Sequence, residues 1–353
     1  MKKQFFIFFL LILTATVTSG QMKAGSAPQP LTACTTDALH PLAGVPYNYS
    51  ATVNPTGGNF QWWATKDVNF ITTPTSPAGP TVNNSGTRLT VAGNGLLRTS
   101  TNYGTAGSLD NVDITWSSAT LAGTTTTTPT FVVLQNDATG TNCANNLKVY
   151  QITAVNGFTV DIKNMDQSKE TLAYAAAYSL CASNIASATY VVTGGVGAIV
   201  TDYGTNILYF EVVAANFTGG YTPSFQVSGL AAGQTVTSIN VFTDALMATS
   251  AIATTLTTTT YSTAAPITVD PAVINTTTGV SLYVKVTIAN GTHENLTGDL
   301  IALSVNGTNL AGEKDVVNTS CATQTDFEDK ATQTITARPK VVAAIPALPF
   351  VTP

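Results

Sequence analysis

Apolar and polar residues alternate along much of this chain with a period of two, the signature of half-buried β-strands rather than of helices. Tyr47, Tyr49, Ala51 and Val53 alternate with polar or small neighbours, and so do Val112, Ile114 and Trp116. Val280, Leu282, Val284, Val286 and Ile288 form a strict apolar face. Ile301, Leu303 and Val305 form another, followed by Asn306-Gly307, read as a turn. Leu147 to Ile162 reads as a hairpin about Asn156-Gly157, because both residues tolerate the positive φ of a tight turn. Asn206 to Ala215 is a strong strand with less regular alternation. Many short strands and turns with almost no amphipathic helix predict an all-β chain built of sandwiches.

The ends depart from this pattern. Lys2 and Lys3, then the apolar run Phe5 to Leu13, then small and polar residues to Gly20, read as a secretory signal peptide over residues 1–20. Residues 21–29 read as a linker. Arg338 to Pro353 is rich in proline and therefore extended. Residues 339–353 form an apolar tail, with Val341, Val342, Ile345, Leu348, Phe350 and Val351 as candidate assembly residues offered to a neighbour by strand addition. Between the ends, the length suits two sandwiches, residues 30–167 and 168–338. Ser168 to Leu180 has helix-compatible spacing but reads better as a strand, with the domain boundary beside it. Gly194-Gly195-Val196-Gly197 lacks the lysine and following helix of a phosphate loop and reads as a turn.

Composition narrows the function. Only 9% of the residues are charged while 44% are hydrophobic, and loss of Lys2 and Lys3 with the leader takes the net charge from −5 to −7. No basic cluster exists to meet nucleic acid or an anionic membrane. Export permits disulfides. Cys34, Cys143, Cys181 and Cys321 allow three pairings, of which Cys34–Cys143 with Cys181–Cys321, one bridge per half, is the most parsimonious.

Candidate chemistry is sparse. His293-Glu294 lacks the second histidine of a zinc-protease helix. No motif places a carboxylate pair, a nucleophile with its base or a cofactor loop, so the expectation is a non-enzyme without cofactor. Asp315, Asp326, Glu328 and Asp329 form an acidic group that offers oxygen ligands to Ca²⁺, without EF-hand spacing. Trp62 and Trp63 must point to opposite faces of one strand. One should fill the core. The other should be exposed, or covered by a loop or a neighbour, as a glycan-stacking platform or an interface anchor.

Two stretches carry a resemblance. Cys34 to Ile71 (CTTDALHPLAGVPYNYSATVNPTGGNFQWWATKDVNFI), with Asp113 to Ala119 (DITWSSA) and Asn142 to Asn146 (NCANN), resembles the PKD-like, immunoglobulin-like modules of secreted Bacteroidota surface proteins. Thr201 to Leu230, Asn290 to Gly307 and Asp326 to Pro339 are similar to large surface proteins of those bacteria linked to gliding motility and type IX secretion. The resemblance implies tandem immunoglobulin-like or PKD-like β-sandwiches displayed outside the cell. The chain ends at Pro353 without a recognisable type IX sorting domain, which leaves the export route open. The expected function is structural: a secreted cell-surface or extracellular-fibre protein that self-associates, or joins other surface proteins, through sheet edges and its tail. The alternative is a carbohydrate-binding or adhesin module using exposed aromatics.

Overall fold

The computed structural model describes residues 21–54, 56–70, 87–93, 95–137, 145–249, 251–255, 259–263, 266–269, 279–325 and 327–341. Those residues form two β-sandwiches, as the alternation predicts. A short strand, β1 (Gln21–Ala24), comes first. The first sandwich follows, with β2 (Pro46–Ser50), β3 (Asn59–Thr65), β4 (Leu96–Thr99) and β5 (Asn111–Trp116), then the short helix α1 (Ser118–Ala122), then β6 (Thr130–Asp137) and β7 (Asn145–Ile152). Its two sheets run β2-β5-β4 and β3-β6-β7, all antiparallel. Phe60, Trp62 and Ala64 of β3 face Val112, Ile114 and Trp116 of β5 across the core. The Trp116 indole donates to Tyr49 Oη at 3.0 Å, and the Tyr49 hydroxyl donates to the Ala38 carbonyl at 2.6 Å. Both polar tips are therefore satisfied inside an apolar core. Ser117 caps α1 by accepting from the Thr120 amide. Thr124 to Thr128 lies in the loop after α1, where Thr125 Oγ1 bonds Thr127 and Thr128.

The second sandwich begins earlier than the sequence suggests. β8 (Thr159–Met165) pairs with β12 (Thr205–Ala215), not with β7. Asn156-Gly157 is thus a joint between the sandwiches and not a hairpin turn. Asn156 Nδ2 donates to the Lys314 carbonyl at 2.7 Å. A side chain on Gly157 would collide with Leu42. The change of sheet falls between Ile152 and Thr159 rather than at residue 168. Ser168 to Leu180 contains a turn around Lys169 and ends in β9 (Tyr178–Leu180), with no helix.

The remaining strands are β10 (Ser187–Thr193), β11 (Val196–Asp202), β13 (Gly220–Ser228), β14 (Thr235–Phe242), β15 (Ala253–Thr255), β16 (Thr260–Ser262), β17 (Ile267–Val269), β18 (Val280–Ala289), β19 (Asp299–Asn309) and β20 (Asp329–Ile335). One layer runs β15-β14-β18-β12-β8. The facing layer places β16 and β17 on β13, then β19, β20 and β9. Val280, Leu282, Val284, Val286 and Ile288 all point into the core between the layers, as their spacing predicts. Alternation in β12 is blurred because its outward residues Glu211 and Val213 are buried too. Asn306-Gly307 is no turn: β19 runs through it to Asn309. Gly307 is small for packing, since a Cβ there would meet Val160 at 2.9 Å and Tyr221 at 3.0 Å.

The segment expected as a linker is part of the second sandwich. β1 pairs antiparallel with the start of β18 and parallel with β17, tying the two layers together. The chain then runs as a strap over this sandwich. Ser26 Oγ donates to Glu211 at 2.8 Å, Gln29 Nε2 donates to Asp161 at 3.0 Å, and the Thr32 amide donates to the Asn318 carbonyl at 3.0 Å. The strap delivers Cys34 to the loop before β20, where it is bonded to Cys321 with Cα atoms 5.3 Å apart. The one-bridge-per-half pairing is therefore corrected. Cys34 travels with the second sandwich before the first one begins, so it lies beside Cys321. Cys181 is a free, solvent-accessible thiol, and Cys143 lies outside the described residues.

Candidate functional site: an exposed uncharged hairpin

β10 and β11 form a two-stranded antiparallel sheet that joins no other strand among the described residues. The chain carries no charged residue from Thr171 to Thr201, and its Thr, Val, Ile and Tyr content favours strand. Gly194 and Gly195 sit at φ 63° and 82°, the left-handed values a two-residue hairpin turn requires. The register pairs Tyr190 with Ile199, Val191 with Ala198 and Val192 with Gly197. Tyr190 lies across Gly197 and covers the bare backbone there. Alternation places Tyr190, Val192 and Ile199 on one face and Val191, Val196 and Val200 on the other. Both faces are open: Tyr190 is 69%, Val196 71% and Ile199 72% exposed.

The base of this hairpin is fixed. Buried Asn290 donates to Ser183 Oγ and to Asn206 Oδ1, each at 2.9 Å. Ser183 Oγ donates to the Tyr203 carbonyl at 2.7 Å, and Asn206 Nδ2 donates to the Cys181 carbonyl at 2.9 Å. Arg338 donates to the same Tyr203 carbonyl at 2.7 Å and lies 5.0 Å over its ring. Gln234 links Asn290 to Asp299, and His293 Nε2 sits 2.9 Å from Asp299 Oδ1. His293 therefore serves a structural network. An isolated hairpin is marginal in water. This one is held at both ends of its stem by buried polar side chains.

The residues singled out from sequence are placed differently. Trp62 and Trp63 point to opposite faces, as a strand demands, yet both are fully buried. Trp62 belongs to the core cluster of the first sandwich, and Trp63 is enclosed on the other face. Neither offers a surface for stacking a sugar. Of the acidic group, Asp315 and Asp329 come near one another. Asp315 is buried and accepts from the Gly307 amide at 2.9 Å. Asp329 is half-buried and bonded to Gln324, Glu328 is exposed, and Asp326 lies outside the described residues. Among the described residues no group of three or more His, Cys, Asp or Glu side chains is arranged to hold a metal ion. Val341 is exposed, and Val342, Ile345, Leu348, Phe350 and Val351 lie outside the described residues, as does the leader.

A second buried feature joins Asp315 of that group to Asp161, which the sequence pattern does not mark. Burial pushes the Asp161 carboxyl up to about 6, with nearby Asp329 adding to the rise. Burial likewise pushes Asp315 up to about 7. Asp161 underlies the strap, bonded by Gln29, and Asp315 stands where the chain enters the loop that carries Cys321. No spacing rule marks Asp161, because its partners Gln29 and Asn318 come from opposite ends of the chain, whereas Asp315 is held locally by the Gly307 amide.

No protein-family model and no curated protein matches the sequence. Solved structures do align. The N-terminal domain of PorA matches at 10% identity over 51% of this chain and 98% of its own, with a TM-score of 0.24. A collagen-binding domain from a Staphylococcus aureus adhesin matches at 11% identity over 37% of this chain and 87% of its own, with a TM-score of 0.19. The collagen adhesin CNA of S. aureus matches at 9% identity over 65% of this chain and 69% of its own, with a TM-score of 0.20. The assignment to β-sandwiches rests on the strand pairings above. Among the described residues no helix is long and apolar enough to cross a membrane.

The hairpin is legible in the sequence as a Gly-Gly turn between two β-rich runs. Its exposure is not. The usable signal is the long uncharged window around it.

Proposed function

We propose that this is a secreted, non-enzymatic structural protein of the bacterial cell surface or of an extracellular fibre, and that copies join through the β10–β11 hairpin. The observation that carries this reading is a hairpin without charge as far as Asp202 at its foot, with apolar side chains on both faces, mounted on a fixed polar base. Contiguous exposed apolar surface is a mark of interaction sites. Unpaired strand edges recruit further strands. Low charge lets such surfaces meet without repulsion. The leader-like N-terminus and the disulfide suit export to an oxidising compartment. The glycan-binding alternative loses its support, because the tryptophans it needs are buried.

The test compares the mature chain from Gln21 with a Val191→Lys, Ile199→Lys double variant by sedimentation velocity and negative-stain electron microscopy. The wild type should form oligomers or filaments at micromolar concentration. The variant should sediment as a monomer with an unchanged circular dichroism spectrum. A wild type that stays monomeric at every concentration overturns the proposal.

A further inference from the structure

We infer that the hairpin of one copy seats in the open side of the first sandwich of the next copy, so that assembly runs head to tail. This rests on the self-association proposed above and names its acceptor. On one flank of the first sandwich, β2 is the edge of one sheet and β7 the edge of the other. Between them opens a cleft of about 590 Å³. Leu134, Leu147 and Tyr150 line it from one sheet, and Ala51 and Val53 line it from the chain leaving β2. Leu134 belongs to the buried core, and Ala51, Val53 and Tyr150 pack against that core. The cleft is therefore the exposed margin of the first hydrophobic core.

Three observations select a second copy as the occupant. First, the edges match in length. β7 has eight residues and no strand on its outer side among the described residues, while β10 and β11 have seven each and unpaired outer edges. Adding the hairpin to β7 would extend the three-stranded sheet β3-β6-β7 to five strands by main-chain hydrogen bonding, with alternate side chains entering the cleft. Second, the charges match. Among the described residues Lys148 is the only charged one lining the cleft, and the hairpin has none before Asp202 at its foot. Copies with a mature charge near −7 repel elsewhere, so uncharged surfaces are where they can meet. Third, donor and acceptor lie on different sandwiches. Such a contact pairs two unlike patches and is therefore head to tail, the kind that builds rings or open chains of subunits rather than an isologous dimer of one patch on itself.

A mixing experiment on the full mature chain tests this. The donor-blocked protein is the Val191→Lys, Ile199→Lys variant. The acceptor-blocked protein carries Leu147→Lys. A second acceptor variant, Asn146→Lys, changes an exposed lining residue that the fold does not need. Each blocked protein alone should self-associate at least about tenfold more weakly than wild type, as expected for a charge introduced at an interface core. An equimolar mixture of donor-blocked and acceptor-blocked proteins should give a one-to-one heterodimer that grows no further, since one working edge remains on each partner. If both acceptor variants assemble like wild type, the hairpins pair with each other and the acceptor assignment is wrong. If the mixture stays monomeric, it is also wrong. Neither result touches the self-association reading, which fails only if the wild type is monomeric.

Discussion

Two antiparallel ribbons stand side by side in the chain, separated only by Tyr203 and Gly204. One is the β10–β11 hairpin. The other is β12 with its partner β18. Both are rich in Val, Ile, Leu and aromatic residues, and β12 and β18 carry one charge each, Glu211 and Lys285. Phe210 opposite Val284 is fully buried, while Tyr190 opposite Ile199 is open to solvent. The difference lies in what surrounds them. β8 and β14 flank β12 and β18, and the sheet of β13, β19 and β20 covers their inner face. Nothing among the described residues flanks or covers the hairpin. Local sequence makes a strand; tertiary layering decides whether its apolar side chains leave water. Full burial of such a side chain is worth roughly 1.5–3 kcal/mol, a gain the hairpin does not realise in a single copy.

The sharpest test of that contrast is a matched pair of truncations. Phe210→Ala removes a ring from the closed core and should cost about 3–5 kcal/mol. Tyr190→Ala should change stability by about 0.5 kcal/mol or less, as surface substitutions do. Urea unfolding followed by circular dichroism measures both. All three tryptophans lie in the first sandwich, so tryptophan fluorescence should report an unchanged transition in Phe210→Ala. Equal losses for the two variants would mean that the hairpin belongs to the cooperative fold, and the comparison would collapse.

The cover of β12 and β18 depends in part on the far N-terminus. β1 and the strap lie on the second sandwich, and Cys34–Cys321 fastens them across 287 residues of sequence. Cys321→Ser should lower stability by about 2–4 kcal/mol. Calorimetry should show the loss in the second sandwich alone, with the tryptophan-reported transition in place. A loss in both transitions would show that the strap supports the two sandwiches as one unit.

The periodic strands are readable because each reports a face buried within its own sandwich. The β18 stripe and the inward Trp62 follow from the two-residue period alone. The failures share one cause. Asn156-Gly157 and Asn306-Gly307 look like hairpin turns, yet both glycines are required by close approach of residues distant in sequence: Leu42 for the first, Val160 and Tyr221 for the second. The linker that became β1, the Cys34–Cys321 bridge and the enclosure of Trp63 likewise depend on partners far along the chain. The hairpin is the converse case. Its strands and turn are local and visible, and its exposure depends on the lack of neighbours among the described residues.

Two buried acids of the second sandwich sharpen the comparison further, because the body that encloses the covered ribbon includes carboxyls that it must desolvate. Asp161 and Asp315 have folded values of about 6 and about 7 against an ordinary value of 3.8. The native state therefore keeps protons that the unfolded chain releases above pH 4. Stability should be greatest at and below about pH 4 as far as these two groups are concerned, fall as pH rises, and level off above about pH 7. A tenfold change in proton affinity corresponds to about 1.4 kcal/mol, and between pH 5 and pH 8 Asp161 gives up about one such factor and Asp315 about two, so a loss of roughly 4 kcal/mol is expected. Asp315→Asn should flatten that slope. It keeps an acceptor for the Gly307 amide and removes the charge from Oδ2, which has no hydrogen-bond partner among the described residues. Melting curves of both proteins from pH 5 to pH 8 decide the matter. A wild type that gains stability over this range would mean that these carboxyls are hydrated in the folded protein, and that the strap covers far less than its hydrogen bonds imply.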